Sequence, residues 1–451
     1  MKILATPVYQ RGLDAADPFA RDAFNREIIA RNLTRLFRAS SDGLVISIDA
    51  KWGEGKTSFI RFWELLLSQE NDFIPIYYDA FRHDFASDPF VSIAAAIHGA
   101  LSSRIRGQIR ERATKAELLQ LKKASKALAI DLAKMTAGLA VASLSGGLVR
   151  STSLLDWLKK AFEKLSFGTL EVNAEEQFET YLRSQDSVHE YQLRLREILS
   201  PGKSDEQRKI VFFIDELDRC RPGFAVEILE RVKHLFNVPN VFFVLSMNRE
   251  QLLKTIGSVY GIDPQDASIY LQKFVDFETR LPSLAEEALV SSEGMLKSYL
   301  QDVARELGLW EGPLSIMAEI DTLAYLLSAH LKLSPRSIER VMSFIALGLG
   351  SCEQADALRL RRHIVVSAAV RVGAPAHYKG LLREGAFWDS RVEEVNLYGW
   401  ARQYFEAEKE DRAANVFVVP QMREASRILD MYELPERSLD DRPSEIVESS
   451  E

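Results

Sequence analysis

Cysteine, histidine, long apolar runs and surplus positive charge are all scarce in this chain, and each scarcity removes a class of protein. The two cysteines, Cys220 and Cys352, stand in unrelated stretches and form no C-x-x-C pair. That speaks against a disulfide scaffold and a zinc ribbon, and a reducing cytoplasm becomes the expected compartment. The seven histidines show no metal-ligand spacing; His363 and His377, like the rest, read as structural or surface groups. The uncharged stretch Met135 to Val149 runs fifteen residues, short of the roughly 20 that a membrane-spanning helix needs. The amino-terminal segment has a brief apolar start and soon turns acidic, so no signal peptide is expected. With 57 Lys and Arg against 65 Asp and Glu, the net charge is −8, which weighs against nonspecific coating of nucleic acid.

What is present is an ordinary folded composition, 47% hydrophobic and 27% charged over 451 residues, enough for two or three domains. One stretch organises it. Val45 to Phe59 reads VISIDAKWGEGKTSF: β-branched and apolar residues stop at a glycine loop, and an apolar-periodic helix follows. Glycines let successive backbone N–H groups turn inward around a phosphate, and the helix aims its positive end at the same anion. Lys56 is placed for the β- and γ-phosphates and the Thr57 hydroxyl for Mg²⁺. The pattern G-x-x-x-x-G-K-[ST] is met except at its first position, where Ala50 replaces glycine. Ala50, Gly53, Glu54, Gly55, Lys56, Thr57 and Ser58 are the candidate nucleotide contacts. The competing reading is a bare left-handed turn between strand and helix.

Arg21 to Arg38 has helical spacing after an Asp17-Pro18 start signal. Phe73 to Tyr78 reads as a buried strand whose Pro75 calls for an edge or a strand start. It runs into Asp79, Arg82, His83 and Asp84, which either contact ligand or solvate a loop. Ser102 to Lys126 carries eight basic and two acidic residues, next to the small-residue stretch at Met135; the pair fits a membrane surface or a solvated helix beside a packed hairpin. Amphipathic segments follow at Leu154 to Phe167 and Glu175 to Leu199. Ile210 to Asp218, IVFFIDELD, is a strand buried on both faces that ends in acids. Asp215 there would hold Mg²⁺ through its water shell, and Glu216 would orient and deprotonate the attacking water. Val241 to Met247 is another buried strand, ending at Asn248, which is placed for the γ-phosphate or the attacking water. Phe274 to Leu281 is the last, and five strands alternating with helices imply a parallel sheet. Beyond Pro282 the strands cease: Leu284 to Leu307, Leu314 to Leu331 and Pro335 to Leu349 are helix-patterned. Ser334-Pro335 supplies a cap and a first-turn proline, and Arg336 and Arg340 share one face. No N-K-x-D guanine-reading motif occurs, which favours ATP over GTP.

These residues resemble the KAP-type P-loop NTPases. The likeness rests on AKWGEGKTSF (50–59), YYDAFRHDFASDPF (77–90), FFIDELDRC (212–220) with VFFVLSMNRE (241–250), and FETRLP (277–282) with LSPRSIERV (333–341). The resemblance implies a three-layer αβα sandwich around a five-stranded, mainly parallel sheet, of the additional-strand class akin to AAA+ and STAND ATPases. A helical insertion and a carboxy-terminal helical lid complete it. The implied division is 1–100 and 206–283 for the two parts of the nucleotide core, 101–205 for the insertion, 284–432 for the lid and 433–451 for a disordered acidic tail. By the same resemblance Asn248 senses the γ-phosphate, Arg336 is a lid arginine, and Arg219 stabilises charge within the site or across a subunit interface, which implies a homo-oligomer. Departures are Ala50 for glycine and Phe81 where tryptophan is usual. Many relatives carry membrane-spanning helices in the insertion, and several bacterial ones are associated with defence against phage or plasmids. The expected function is Mg²⁺–ATP binding and hydrolysis driving a change of conformation or assembly, with an unidentified protein partner. The alternative is a nucleotide-dependent switch or scaffold with little turnover, peripheral to the membrane through residues 102–149.

Overall fold

The computed structural model describes residues 14, 16–22, 24–86, 88–105, 111–145, 174–199, 208–282, 292–388, 397–405, 409–411 and 416–432. The expected helix at 154–167, the start of the one expected at 284 and the acidic tail lie outside these residues.

Helix α1 (Glu27–Ala39) leads into β1 (Val45–Asp49), the glycine loop and α2 (Lys56–Ser68). Strand β2 (Phe73–Asp79) is followed by α3 (Pro89–Ile105), α4 (Glu111–Ser145) and α5 (Ala174–Leu199). Then come β3 (Lys209–Asp215), α6 (Pro222–Leu235), β4 (Val241–Met247), α7 (Arg249–Tyr260), α8 (Pro264–Leu271) and β5 (Phe277–Arg280). The five strands form one parallel sheet in the order β2-β3-β4-β1-β5. Strand β4 therefore separates the strand that carries the glycine loop from the strand that carries Asp215. Pro75 is accommodated because β2 is an edge strand, leaving its nitrogen off the one ladder that β2 makes.

Strands β3 and β4 are buried at every position, which is why they read as unbroken apolar runs: helices cover both faces. On one face α1 and α2 bring Phe37, Phe59 and Trp63 onto Phe213 and Phe242, with Phe37 and Phe242 rings 4.6 Å apart. The Trp63 indole N–H donates to Thr34 Oγ1 at 2.9 Å, so the largest side chain of that layer leaves no polar group unmet. On the other face α3 to α7 pack a second core. Lys209, 7% exposed, ends its stem against α1 and donates to the carbonyls of Phe37, Arg38 and Ser40 at 2.8, 2.6 and 2.8 Å. An ammonium has three donors, and here all three meet the negative end of a helix.

The rest is a helical layer with its own core: α9 (Ser292–Leu307), α10 (Ile320–Tyr325), α11 (Pro335–Gly350), α12 (Gln354–Gly373), α13 (Pro375–Glu384), α14 (Leu397–Phe405) and α15 (Pro420–Asp430). Phe24, from the amino-terminal segment, belongs to this core.

Several expectations need correction. Helix α1 starts at Glu27 rather than Arg21, because Asn25 takes a left-handed φ of 50° and Asp22 captures the Arg26 amide at 2.5 Å. Of the basic stretch, 102–105 end α3 and 111–126 belong to α4, which continues without a break through the small-residue stretch as far as Ser145. The helix expected over 314–331 is broken into a 3₁₀ turn, α10 and a π-helical turn at Leu326–Leu331. Strands do not cease after Pro282: β6 (Ala386–Trp388), β7 (Lys409–Asp411) and β8 (Val416–Val418) form a small antiparallel sheet. Three-residue strands are too short to show a period. Among the described residues no helix is long and apolar enough to cross a membrane.

Candidate functional site

The site lies beyond the carboxyl ends of β1, β3 and β4, where a parallel sheet leaves a crevice. Gly53 and Gly55 both adopt left-handed φ, +85° and +80°, a conformation that glycine enters without penalty. Gly55 directly precedes α2, so Lys56, Thr57 and Ser58 form the first turn of that helix with its unpaired N–H groups. Ala50 sits in the core under the loop. The Lys56 ammonium folds back onto the loop, donating to the carbonyls of Ala50 at 2.7 Å and Lys51 at 3.3 Å. Desolvation lowers the Lys56 pKa from its ordinary value, opposed by the carboxylates of Asp218, Asp215 and Glu216. Four ionisable groups thus share one poorly hydrated space.

Asp215 is 1% exposed. Its Oδ1 accepts from the Ser246 hydroxyl at 2.7 Å and from the Glu216 amide at 3.0 Å, and its Oδ2 from the Tyr77 hydroxyl at 3.1 Å. Three donors hold the carboxylate against burial. Glu216 takes a left-handed φ of 60°, which is unusual for a residue with a Cβ. One of its carboxylate oxygens lies 3.5 Å from Thr57 Oγ1 and the other 2.5 Å from Arg219 Nε. Burial, then the neighbouring Asp215 charge, raises the Glu216 carboxyl above the usual carboxylate range, against the pull of Arg219.

The structure brings Gly53, Gly55, Lys56, Thr57, Ser58, Glu216, Arg219 and Arg336 to the wall of one cleft. The Arg336 amide donates to the Gly53 carbonyl at 3.3 Å, which seats the first turn of α11 on the loop. Ser334 caps that helix, accepting the Ser337 amide at 3.3 Å. Asn248 ends β4, but its Oδ1 caps α7 by accepting the Gln251 amide at 3.4 Å. Glu54 lies within the loop, its amide bonded to the Lys51 carbonyl at 3.3 Å. Asp84 and Arg221 pair at 2.9 Å, so part of the polar cluster after β2 ties two loops together.

Four contributors carry no signal of their role in the sequence. Tyr77 and Ser246 reach Asp215 only because β2 and β4 flank β3; a hydroxyl in an apolar strand carries no signal of that. Trp52, half exposed within the loop, donates its indole N–H to Asp218. Arg26 donates to the carbonyls of Glu54 and Gly55 at 3.3 and 3.2 Å.

Thr57 and Asp215 offer a hydroxyl and a carboxylate, the hard oxygen donors that Mg²⁺ takes. No cluster of three or more His, Cys, Asp or Glu suited to a metal occurs among the described residues. That donor set suits an ion whose remaining ligands are water and phosphate oxygens rather than a protein cage.

The phage T7 exclusion protein of Escherichia coli (strain K12) is 25% identical over 296 residues, which are 62% of this chain and 36% of that protein; the chain spans about a third of that relative's length. Among solved structures, Cdc6p from Pyrobaculum aerophilum is 11% identical, with 95% of this chain and 99% of that one covered at a TM-score of 0.40. The ORC2 protein of Aeropyrum pernix in its ADPNP–ADP complexes is 12% identical, with 91% and 92% covered at a TM-score of 0.35. At such scores the two structures carry no argument. A family model described as the KAP family P-loop domain matches residues 26–347. That is well over half of the chain and includes the nucleotide-binding loop and the acidic strand end. The chain belongs to the KAP family of P-loop NTPases.

Proposed function

We propose that the cleft binds Mg²⁺–ATP and hydrolyses it, and that the change of charge at the γ-phosphate drives a change of conformation or assembly. The observation that carries this reading is the approach of Glu216 to the first turn of α2: its Oε1 is 3.5 Å from Thr57 Oγ1. A carboxylate suited to activating water thus stands beside the residue suited to Mg²⁺. In the roles assigned, Lys56 neutralises the β- and γ-phosphates, Thr57 and Asp215 hold the ion, Glu216 orients water, and Asn248, Arg219 and Arg336 respond to the γ-phosphate. Phosphoryl transfer requires mainly such positioning and charge neutralisation. Residues 1–100 and 206–283 form the nucleotide core in this reading, and 284–432 its lid. Lys56→Ala is expected to weaken ATP binding by at least tenfold in calorimetric titration, on the scale of one charge-assisted contact. Wild-type affinity in that variant would contradict the reading.

A second reading is favoured by one observation. Glu216 pairs with Arg219 at 2.5 Å and Lys56 donates to its own loop, so hydrolysis would require both contacts to be exchanged, and a protein that exchanges them seldom would act as a nucleotide-dependent switch or scaffold of low turnover. Homo-oligomerisation with Arg219 serving a neighbour's site is compatible with either reading. So is a peripheral membrane contact through residues 102–149. A role in bacterial defence follows the name of the phage T7 exclusion relative, and phage plating on cells with and without the intact gene tests it.

A further inference from the structure

We propose that Arg26 is a positioning residue for the nucleotide: its guanidinium holds the loop's carbonyls outward and thereby aims the amides of Gly55 and Lys56 at the phosphates. The inference rests on the Mg²⁺–ATP reading of the cleft.

Arg26 is 3% exposed, and its side chain pairs with that of Asp22, itself 1% exposed. Arg26 Nε and Nη2 donate to Asp22 Oδ1 at 2.8 and 2.5 Å. The carboxylate thus neutralises one edge of the fork, as a buried charge requires. The opposite edge faces the loop, where Nη1 donates to the Glu54 and Gly55 carbonyls at 3.3 and 3.2 Å.

Peptide planarity converts these bonds into amide orientation. The Glu54 carbonyl and the Gly55 amide share one trans peptide plane and point in opposite directions, as do the Gly55 carbonyl and the Lys56 amide. Fixing the two oxygens on the Arg26 side turns the two N–H groups away from it. The Gly53 carbonyl is held in turn by the Arg336 amide at 3.3 Å, so three successive carbonyls of the loop are occupied. A Cβ on Gly55 would stand 3.0 Å from Arg26 Nη1, so the close approach depends on glycine there.

The same residue reaches the helical layer. The guanidinium carbon lies 5.0 Å from the Phe24 ring centre, and Phe24 packs against Tyr299 of α9 with centroids 5.7 Å apart. Lysine cannot replace this arrangement, because an ammonium presents its donors from one point and not from two edges.

The test is the ratio of ATP to adenosine affinity, measured by calorimetric titration in wild type, Arg26→Lys and Asp22→Asn. A role confined to stability would weaken both ligands together. A role in aiming amides at phosphates lowers the ratio about tenfold, the scale of one charge-assisted hydrogen bond, and leaves adenosine binding in place. Asp22→Asn, nearly isosteric, carries the test if Arg26→Lys does not fold. A wild-type ratio in the folded variants overturns the assignment of Arg26 alone. Wild-type protein that binds no ATP overturns the nucleotide reading and this inference with it.

Discussion

Individual side chains divide here into those with a signature in the sequence and those whose role arises from spatial neighbours. Lys56 and Thr57 were legible because the phosphate loop is a local device: spacing, glycines and the following helix lie within one short stretch. Asp215 and Glu216 were legible because a buried strand that ends in two acids is costly without a purpose. Tyr77, Ser246 and Arg26 were not, since each acts across at least 28 residues of sequence. His363, whose sequence context suits a structural or a surface group, is structural: it is 4% exposed on α12 and stacks on Phe405 with centroids 5.3 Å apart. Burial, reinforced by the charges of Arg362 and Arg359, pushes its imidazole down to about 4. An unfolded chain binds that proton near pH 6.5. Stability from this group is therefore full above about pH 6.5 and is lost as the pH falls towards 4, by about 2 kcal/mol at pH 5. The urea midpoint is expected to fall further between pH 7 and pH 5 in wild type than in His363→Leu. Equal falls would contradict this account of His363.

At the scale of elements, the strands of the core were the most legible part. An apolar run covered on both faces has little freedom to be anything else: β2 and β4 begin and end within a residue of the expected places, and β3 begins one residue early and stops at Asp215, three short of Asp218, where the acids take over. Helix α1 was misplaced at its start because a single left-handed Asn25 and the Asp22–Arg26 pair outweigh helical periodicity. The order of the strands could not be read from their sequences, since parallel strands buried on both faces look alike. The contact between α11 and the loop is the element-level feature with the clearest consequence. A Cβ on Gly53 would lie 2.7 Å from Ser334 Oγ and 3.1 Å from Arg336 Cβ, at a φ of +85°. Gly53→Ala is thus expected to push α11 off the loop. The left-handed backbone adds a cost of about 1 kcal/mol. Limited proteolysis in the segment around residues 331–336 should accelerate in that variant, and an unchanged cleavage rate would show that α11 does not seat there.

For the whole molecule, the sheet and the helical layer meet at the phosphate loop. Loop carbonyls are taken by Arg26 on one side and by the α11 backbone on the other. On the proposed function, a ligand that reshapes the loop would act on both layers, carrying a small chemical change at one phosphate to the helical layer. Turnover is the central claim of the proposed function, and Glu216 is the residue through which it is most directly tested. Steady-state Mg²⁺–ATP hydrolysis and ATP affinity should be measured together in wild type and Glu216→Gln. The account predicts measurable turnover in wild type, a loss of about 100-fold or more in the variant, as for removal of a general base, and retained ATP binding. Turnover unchanged by Glu216→Gln, or none in wild type, would contradict it.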